Sequence, residues 1–148
     1  MKQNQFQTPI KIWYDILPGG PGVKWPILKV KLKHSETSLP QPLIALVDSG
    51  ANKSILHPLV AEALGFNLEK LGASDKGISV SGEYKSWQLP AIDINIYGYD
   101  FNLPFTVIDN ERLIWPCILG EDSIFNFARL DFQKFKGYFE LRFRKDIN

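Results

Sequence analysis

The feature that most restricts the fold of this chain is an alternation of apolar and polar residues with a period of two. In "PILKVKLK", Leu28, Val30 and Leu32 alternate with three lysines. Successive side chains of a β-strand point to opposite faces, so this pattern is typical of a strand with one buried and one solvated face. The segments "AIDINIYG" and "YFELRFR" repeat it, and Gly and Pro clusters such as "LPGGPG" separate the strands as loops.

Two segments depart from this alternation and predict short helices. In "HPLVAEALGF", Pro58 occupies a first helical position, Leu59, Ala63 and Leu64 form one stripe, and Gly65 marks the end. In "GEDSIFNF", acidic residues stand at the amino end, where the helix dipole favours them. The sequence therefore predicts a mainly β, mostly antiparallel fold with two short helices.

The size and charge of the chain exclude several classes of function. Its 148 residues fall in the range of a single domain with one core. The 17 basic and 16 acidic residues are interspersed and give a formal net charge of +1. No run of charge predicts a nucleic acid or a membrane as a partner, so small or peptidic ligands remain as candidates.

The single cysteine and the two histidines give no basis for a metal site or a disulfide. Cys117 has no second cysteine to pair with, and only His34 and His57 could join it as zinc ligands. The amino terminus "MKQNQFQTPIKIWY" alternates where a secretory signal would be continuously apolar. We therefore expect a cytoplasmic protein without metal or cofactor.

The stretch "ALVDSGANKSIL" carries the strongest chemical signal. An apolar strand, "PLIALV", runs directly into Asp48, Ser49 and Gly50. Asp and Ser beside Gly are common in structural turns, because their side chains hydrogen-bond to the neighbouring backbone. Here, however, the carboxylate follows a buried element, which would hold it rigidly and partly dehydrated. Such a placement favours a role in chemistry.

Two motifs in this order resemble those of the retroviral-type aspartic proteases and their cellular relatives, including the DNA-damage-inducible proteins. The first is the active-site loop, Asp48-Ser49-Gly50-Ala51, with Ser54 and Ile55 behind it. The second is a pair of apolar residues before a glycine, Ile118-Leu119-Gly120, which in the family crosses behind the catalytic loop. Viral members mostly have threonine where this chain has Ser49, a change that keeps the hydroxyl. Both motifs together are a far stronger signal than either alone.

The resemblance covers roughly residues 25–143 and implies a closed antiparallel sheet with a flap. Residues 1–24 would be an amino-terminal extension: an added edge strand, a dimer contact or a partial cover of the cleft. The segment "KGISVSGEYKSWQLP" stands where the family has a hairpin flap. The resemblance implies substrate-binding roles for five residues there: Ile78, Ser79, Val80, Ser81 and Gly82.

The chemistry implied by this resemblance needs two carboxyl groups, one to accept a proton from water and one to donate a proton to the substrate. The Asp-Ser-Gly motif occurs once. Asp122 is the one rival within the chain, but an acid in the first turn of a helix more often caps it. A two-fold homodimer would instead place Asp48 of each subunit face to face.

Such a dimer would give the neighbouring residues defined roles. Ser49 would donate its hydroxyl to the other subunit's loop, Gly50 would let the backbone approach the carboxylates, and Ala51 would keep the cleft floor small. The sequence thus predicts a homodimeric aspartic endopeptidase that acts on peptides through Asp48. The alternative is a dimeric peptide-binding or assembly module of the same fold with little turnover.

A serine hydrolase built on Ser54 and His57 is the weaker prediction. The two residues stand three apart, which could suggest a nucleophile and its base. A loop that enters the helix at Pro58 explains both residues more simply, because polar side chains there satisfy free backbone N–H groups.

Overall fold

The computed structural model describes residues 5–71, 75–79, 82–110 and 112–146, with the backbone alone at 75–79, 82 and 83. Within these ranges the chain is mainly strand. The strands, in order, are β1 (Ile10–Trp13), β2 (Asp15–Ile16), β3 (Lys24–Trp25), β4 (Ile27–His34), β5 (Thr37–Ser38), β6 (Leu43–Val47), β7 (Ile55–Leu56), β8 (Asp75–Ser79), β9 (Gly82–Gln88), β10 (Ile92–Ile96), β11 (Tyr99–Leu103), β12 (Thr106–Asp109), β13 (Cys117–Leu119), β14 (Ala128–Gln133) and β15 (Tyr138–Phe143).

The largest sheet has the strand order β11-β10-β4-β6-β13-β7-β12-β9-β8, and β5 adds to β4. Most neighbours are antiparallel, but β13 runs parallel to β6, and β12 runs parallel to β7. The short β13 therefore lies between the strand that precedes "DSG" and the strand that follows it. This crossing brings the two sequence motifs together at the centre of the sheet.

The period-two segments form the predicted strands. In β4, Leu28, Val30 and Leu32 are buried while the intervening lysines are exposed. The strands β10 and β15 show the same alternation, and their buried residues join one large apolar core. Each fully buried aliphatic or aromatic side chain contributes about 1.5–3 kcal/mol.

A second, three-stranded sheet has the order β1-β15-β14. Here β1 pairs antiparallel with β15, so that Ile12 lies opposite Phe139 and both are buried. The strands β2 and β3 form a separate small hairpin. The described residues of the amino-terminal extension thus supply an added edge strand and a hairpin. In the described part of the chain, no helix is long and apolar enough to span a bilayer.

Both predicted segments contain a short helix, the first an α-helix and the second a 3-10 helix. Helix α1 (Pro58–Ala63) has Pro58 in its first turn, and the Nδ1 of His57 caps it by accepting the N–H of Leu59 at 3.1 Å. The apolar stripe predicted for this helix, Leu59, Ala63 and Leu64, is wrong, because Leu59 is 68% exposed. The buried residues there are Ala61 and Leu64. A further helix, α2 (Leu68–Leu71), was not predicted.

The segment "GEDSIFNF" forms only a short 3-10 helix, Ile124–Asn126. The side chains of Ile124 and Phe127 both enter the core, and β14 starts immediately afterwards at Ala128. The Ser123 hydroxyl also donates back to the carbonyl oxygen of Gly120 at 3.2 Å. Between Gly120 and the start of β14, these contacts leave too few residues for an α-helix.

Candidate active site

Asp48 lies directly at the end of β6, half-buried at the point where the strand becomes a loop. Its N–H donates to the carbonyl oxygen of Leu119 at 3.0 Å. The strand itself is apolar, and Ala45, Leu46 and Val47 are all buried. The carboxylate is therefore carried by a rigid element at the centre of the sheet.

The glycine turn orients the carboxylate of Asp48. The N–H of Gly50 donates to Oδ1 of Asp48 at 2.9 Å, and the N–H of Ala51 donates to the Asp48 carbonyl oxygen at 3.2 Å. A Cβ atom at Gly50 would lie only 3.2 Å from Oδ1 of Asp48. Ser49 and Gly50 are exposed beside it, so a carboxyl group with one anchored oxygen stands at an accessible surface.

The second motif packs against the back of this turn. Residues of β13 pair in register with β6, with Ile118 opposite Leu46 and Leu119 opposite Val47. A Cβ atom at Gly120 would lie 2.5 Å from the carbonyl oxygen of Ala51 and 2.7 Å from that of Lys53. Because no side chain fits there, only glycine allows the two segments to touch.

A hydrogen-bond network around Ser54 locks the two segments together. The hydroxyl of Ser54, fully buried, accepts the N–H of Gly120 at 3.0 Å and donates to Oδ1 of Asp122 at 2.8 Å. The same carboxylate oxygen accepts the N–H of Ser54 at 2.8 Å. The Ser54 and Ser123 hydroxyl oxygens are 2.6 Å apart. These bonds fix the loop that carries Asp48.

This role of Ser54 differs from the predicted one, in which Ser54 stood at the entry of the helix. His57 alone caps the helix, and Ser54 faces the second motif instead. The signal that could have found it is a hydroxyl residue directly before the apolar strand β7, since a polar side chain that enters the core there needs partners. Asp122, the rival acid, caps no α-helix; its hydrogen bonds to Ser54 favour a structural role.

A second apolar cluster covers the sheet face from which Asp48 projects. Along β6, Ala45 and Val47 enter the main core, whereas Leu46 enters this second cluster with Trp115, Ile27 and Leu17. Side chains two apart on a strand share a face, so Asp48 shares its face with Leu46. Ile118 and Trp25 pack against the same cluster. The site therefore has an apolar wall, part of which comes from the amino-terminal hairpin.

The predicted flap segment forms an antiparallel hairpin of β8 and β9, in which Ser79 lies opposite Gly82. Ile78 is in β8, and its side chain is outside the described residues. Val80 and Ser81, at the predicted tip, also lie outside the described residues. The strand β8 is the last in the sheet order, which leaves one of its edges without a neighbouring strand among the described residues.

The structure brings Asp48, Ser49, Gly50 and Ala51 together with Ile118, Leu119 and Gly120. Cys117, beside them, is fully buried, and desolvation raises the pKa of its thiol far above the usual value. Among the described residues, no group of three His, Cys, Asp or Glu side chains could hold a metal ion.

Comparisons with known proteins agree with this geometry. Solved structures of other proteins share the fold, among them the following three. One is a retropepsin-like aspartic protease from Rickettsia conorii, with a TM-score of 0.67 and 20% identity over 90% of this chain and 98% of that chain. Another is the retroviral protease-like domain of Ddi1 from Leishmania major, with a TM-score of 0.55 and 21% identity over 72% and 81%.

The third is the EIAV protease in complex with the inhibitor HBY-793, with a TM-score of 0.51 and 22% identity over 70% of this chain and 88% of that chain. A comparison with curated protein sequences gives no match. A family model described as aspartyl protease matches residues 30–122, which is more than half of the chain and includes both Asp48 and Gly120. The chain therefore belongs to the retropepsin-like aspartic protease family.

Proposed function

We propose that this protein is a homodimeric aspartic endopeptidase in which a water molecule is activated between two Asp48 carboxyl groups, one from each subunit. The observation that carries the proposal is the anchored position of Asp48. Its carboxylate is oriented by the N–H of Gly50 and its backbone is tied to Leu119 of the second motif. The family membership supports the same chemistry.

The need for a second carboxyl group supports the dimer. Asp122 is the other acid tied to this loop, and its Oδ1 already accepts two hydrogen bonds from Ser54. Asp48 lies at an accessible surface, beside the exposed residues Ser49 and Gly50. A two-fold axis through this surface would bring identical loops together, because an isologous contact pairs each residue with itself. Ser49 would then donate its hydroxyl to the partner loop.

Peptide hydrolysis then depends on one proton that the two Asp48 carboxyl groups share. Two carboxyl groups at roughly 3 Å cannot both ionise readily, so the pair holds one proton. The ionised Asp48 accepts a proton from water while the water oxygen attacks the carbonyl carbon of the peptide. The protonated Asp48 donates its proton to the carbonyl oxygen. The Asp48 that took the proton from water then donates it to the amine nitrogen as the C–N bond breaks, and the other Asp48 takes back the hydroxyl proton as the carboxylic acid product forms. This mechanism favours acidic conditions and needs no metal.

An extended peptide is the substrate that fits these surroundings. The open edge of β8 can pair with a peptide as an added strand. The apolar wall that includes Leu46 and Ile118 can contact apolar side chains of the peptide.

We propose in addition that residues 1–148 form one domain with its protease core at 25–143. The cytoplasmic location stays a prediction.

The test is cleavage of a peptide library by the purified protein at acidic to neutral pH. We expect cleavage by the native protein and its loss in Asp48→Asn, which keeps the shape of the side chain but cannot accept the proton. Asp93→Asn is the matched control, since Asp93 is an exposed acid whose register partners lie in β4 and β11. Cleavage that survives in Asp48→Asn would refute the proposal. Peptide binding without cleavage would favour the assembly module instead.

A further inference from the structure

The outer face of the three-stranded sheet combines exposed aromatic rings with lysines. On β1 and β15 the side chains alternate, so that Ile12 and Phe139 are buried while Lys11 and Trp13 are exposed on the other side. The turn between β14 and β15 is a 3-10 helix, Lys134–Lys136, with Phe135 at its centre. We call this surface, with its turn, the aromatic-basic face.

Its two most exposed rings lie at one end of the sheet. Phe135 is 85% exposed and Trp13 is 62% exposed. The N–H of Tyr14 donates to the carbonyl oxygen of Gly137 at 2.9 Å, which ties β1, with Trp13 at its end, to the turn that carries Phe135. The ring of Trp13 also lies edge-on to Tyr138, with 5.5 Å between ring centroids. Water-exposed aromatic area of this kind marks an interaction surface.

Basic side chains outnumber acidic ones on this face and its turn. The face and its turn carry five basic side chains, Lys11, Arg129, Lys134, Lys136 and Arg142, and two acidic ones, Asp131 and Glu140. Its formal charge is thus +3, against +1 for the whole chain. Glu140 is engaged by Arg142 at 3.2 Å. The Nζ of Lys11 lies 4.4 Å from the centre of the Tyr138 ring.

We propose that the aromatic-basic face docks on an anionic lipid bilayer. Trp and Tyr rings favour the membrane interface, and an exposed Phe can enter the apolar layer beneath the headgroups. Lysines beside the rings keep their ammonium groups at the headgroups while their methylene stems follow the rings downward. Each basic residue near an anionic surface adds to the attraction, and the effect falls off within the screening distance of the salt.

The excess positive charge of the aromatic-basic face favours a lipid surface over a second copy of the chain as its partner. Two such faces would repel each other, because both carry excess positive charge. Duplex nucleic acid is anionic too, but its phosphate surface offers no apolar medium for Phe135. The proposal is independent of the protease activity, since none of these residues contacts Asp48 in the structure described.

The test is flotation of the full-length protein with vesicles of phosphatidylcholine alone and of phosphatidylcholine containing phosphatidylserine. We expect binding to the anionic vesicles that weakens as salt is raised. Phe135→Ser should lower the partition coefficient about fivefold, and Lys134→Gln with Lys136→Gln about tenfold or more. Leu59→Ser is the matched control, because Leu59 is 68% exposed and lies outside the face.

Four results would overturn the proposal. The first is failure of the native protein to float with anionic vesicles at low salt. The second is binding that Phe135→Ser leaves unchanged, with circular dichroism showing a folded variant. The third is a sedimentation experiment in which the face instead mediates self-association or binds duplex DNA while vesicles remain unbound. Equal loss of binding in Leu59→Ser would also contradict the assignment to this face.

Discussion

The Ser54 hydroxyl is buried between the two sequence motifs and contacts Gly120, Asp122 and Ser123. Ser54→Ala would leave the Gly120 N–H and the Asp122 carboxylate short of a partner, at a cost of about 1–3 kcal/mol. We expect urea unfolding to show this loss of stability. Ser38→Ala, at an exposed serine, should change the stability little, and an equal effect of both substitutions would contradict the role of Ser54.

Asp122 should behave as a structural acceptor. Asp122→Asn keeps an oxygen that can accept the N–H and the hydroxyl of Ser54, so we expect near-native stability and peptide cleavage. Asp122→Ala removes the acceptor and should destabilise the protein. A folded Asp122→Asn protein that has lost all cleavage would identify Asp122 as the second catalytic acid.

Cys117 should be inert in the folded protein. Its thiol is fully buried, and desolvation raises its pKa, so little thiolate forms where an exposed cysteine would ionise. We expect a thiol reagent to modify it only after unfolding. In the unfolded chain the thiol ionises above about pH 8.5, so the free energy of unfolding should fall as pH rises past that value. In Cys117→Ala this decrease should be smaller.

At the scale of elements, the hairpin of β2 and β3 completes the apolar wall beside Asp48. The rings of Trp25 and Trp115 meet edge to face with 5.7 Å between centroids, next to Leu46 and Ile118. Trp25→Ala would expose this cluster, so we expect a loss of about 2 kcal/mol in stability and a changed preference among cleaved peptides. Trp13→Ala, at an exposed tryptophan, should leave the preference unchanged.

At the scale of the whole molecule, the proposed dimer predicts how mixed subunits behave. A dimer with one Asp48→Asn subunit has a single ionisable acid at the axis and should be inactive. If subunits exchange freely, adding an equal amount of Asp48→Asn should lower the cleavage rate to about half by random pairing. Adding the same amount of Asp93→Asn should raise the rate instead. An unchanged rate after full exchange, verified by native mass spectrometry, would show that each subunit acts alone.

The strands and the two motifs were predictable because their signals are local. Alternation in "PILKVKLK" reports which face of β4 is buried, and Pro58 and Gly65 delimit α1. The type of the second predicted helix, a 3-10 helix, was not predictable in this way. Its acidic amino end favoured an α-helix, whereas the contacts of Ile124 and Phe127 with the core and the early start of β14 decided otherwise.

By itself, the sequence determined the β character of the chain, because side-chain alternation acts between near neighbours. It also contains the two motifs around Asp48 and Gly120, whose pairing was expected from the resemblance to the protease family and not from a local signal. Only the tertiary structure decided that Ser54 bonds to Asp122, 68 positions away. It also decided that five basic and two acidic side chains from β1, β14, β15 and the turn between β14 and β15 belong to one face of a sheet and its turn. Pairings of distant strands depend on the shape of the whole core, and no short stretch of sequence contains that shape.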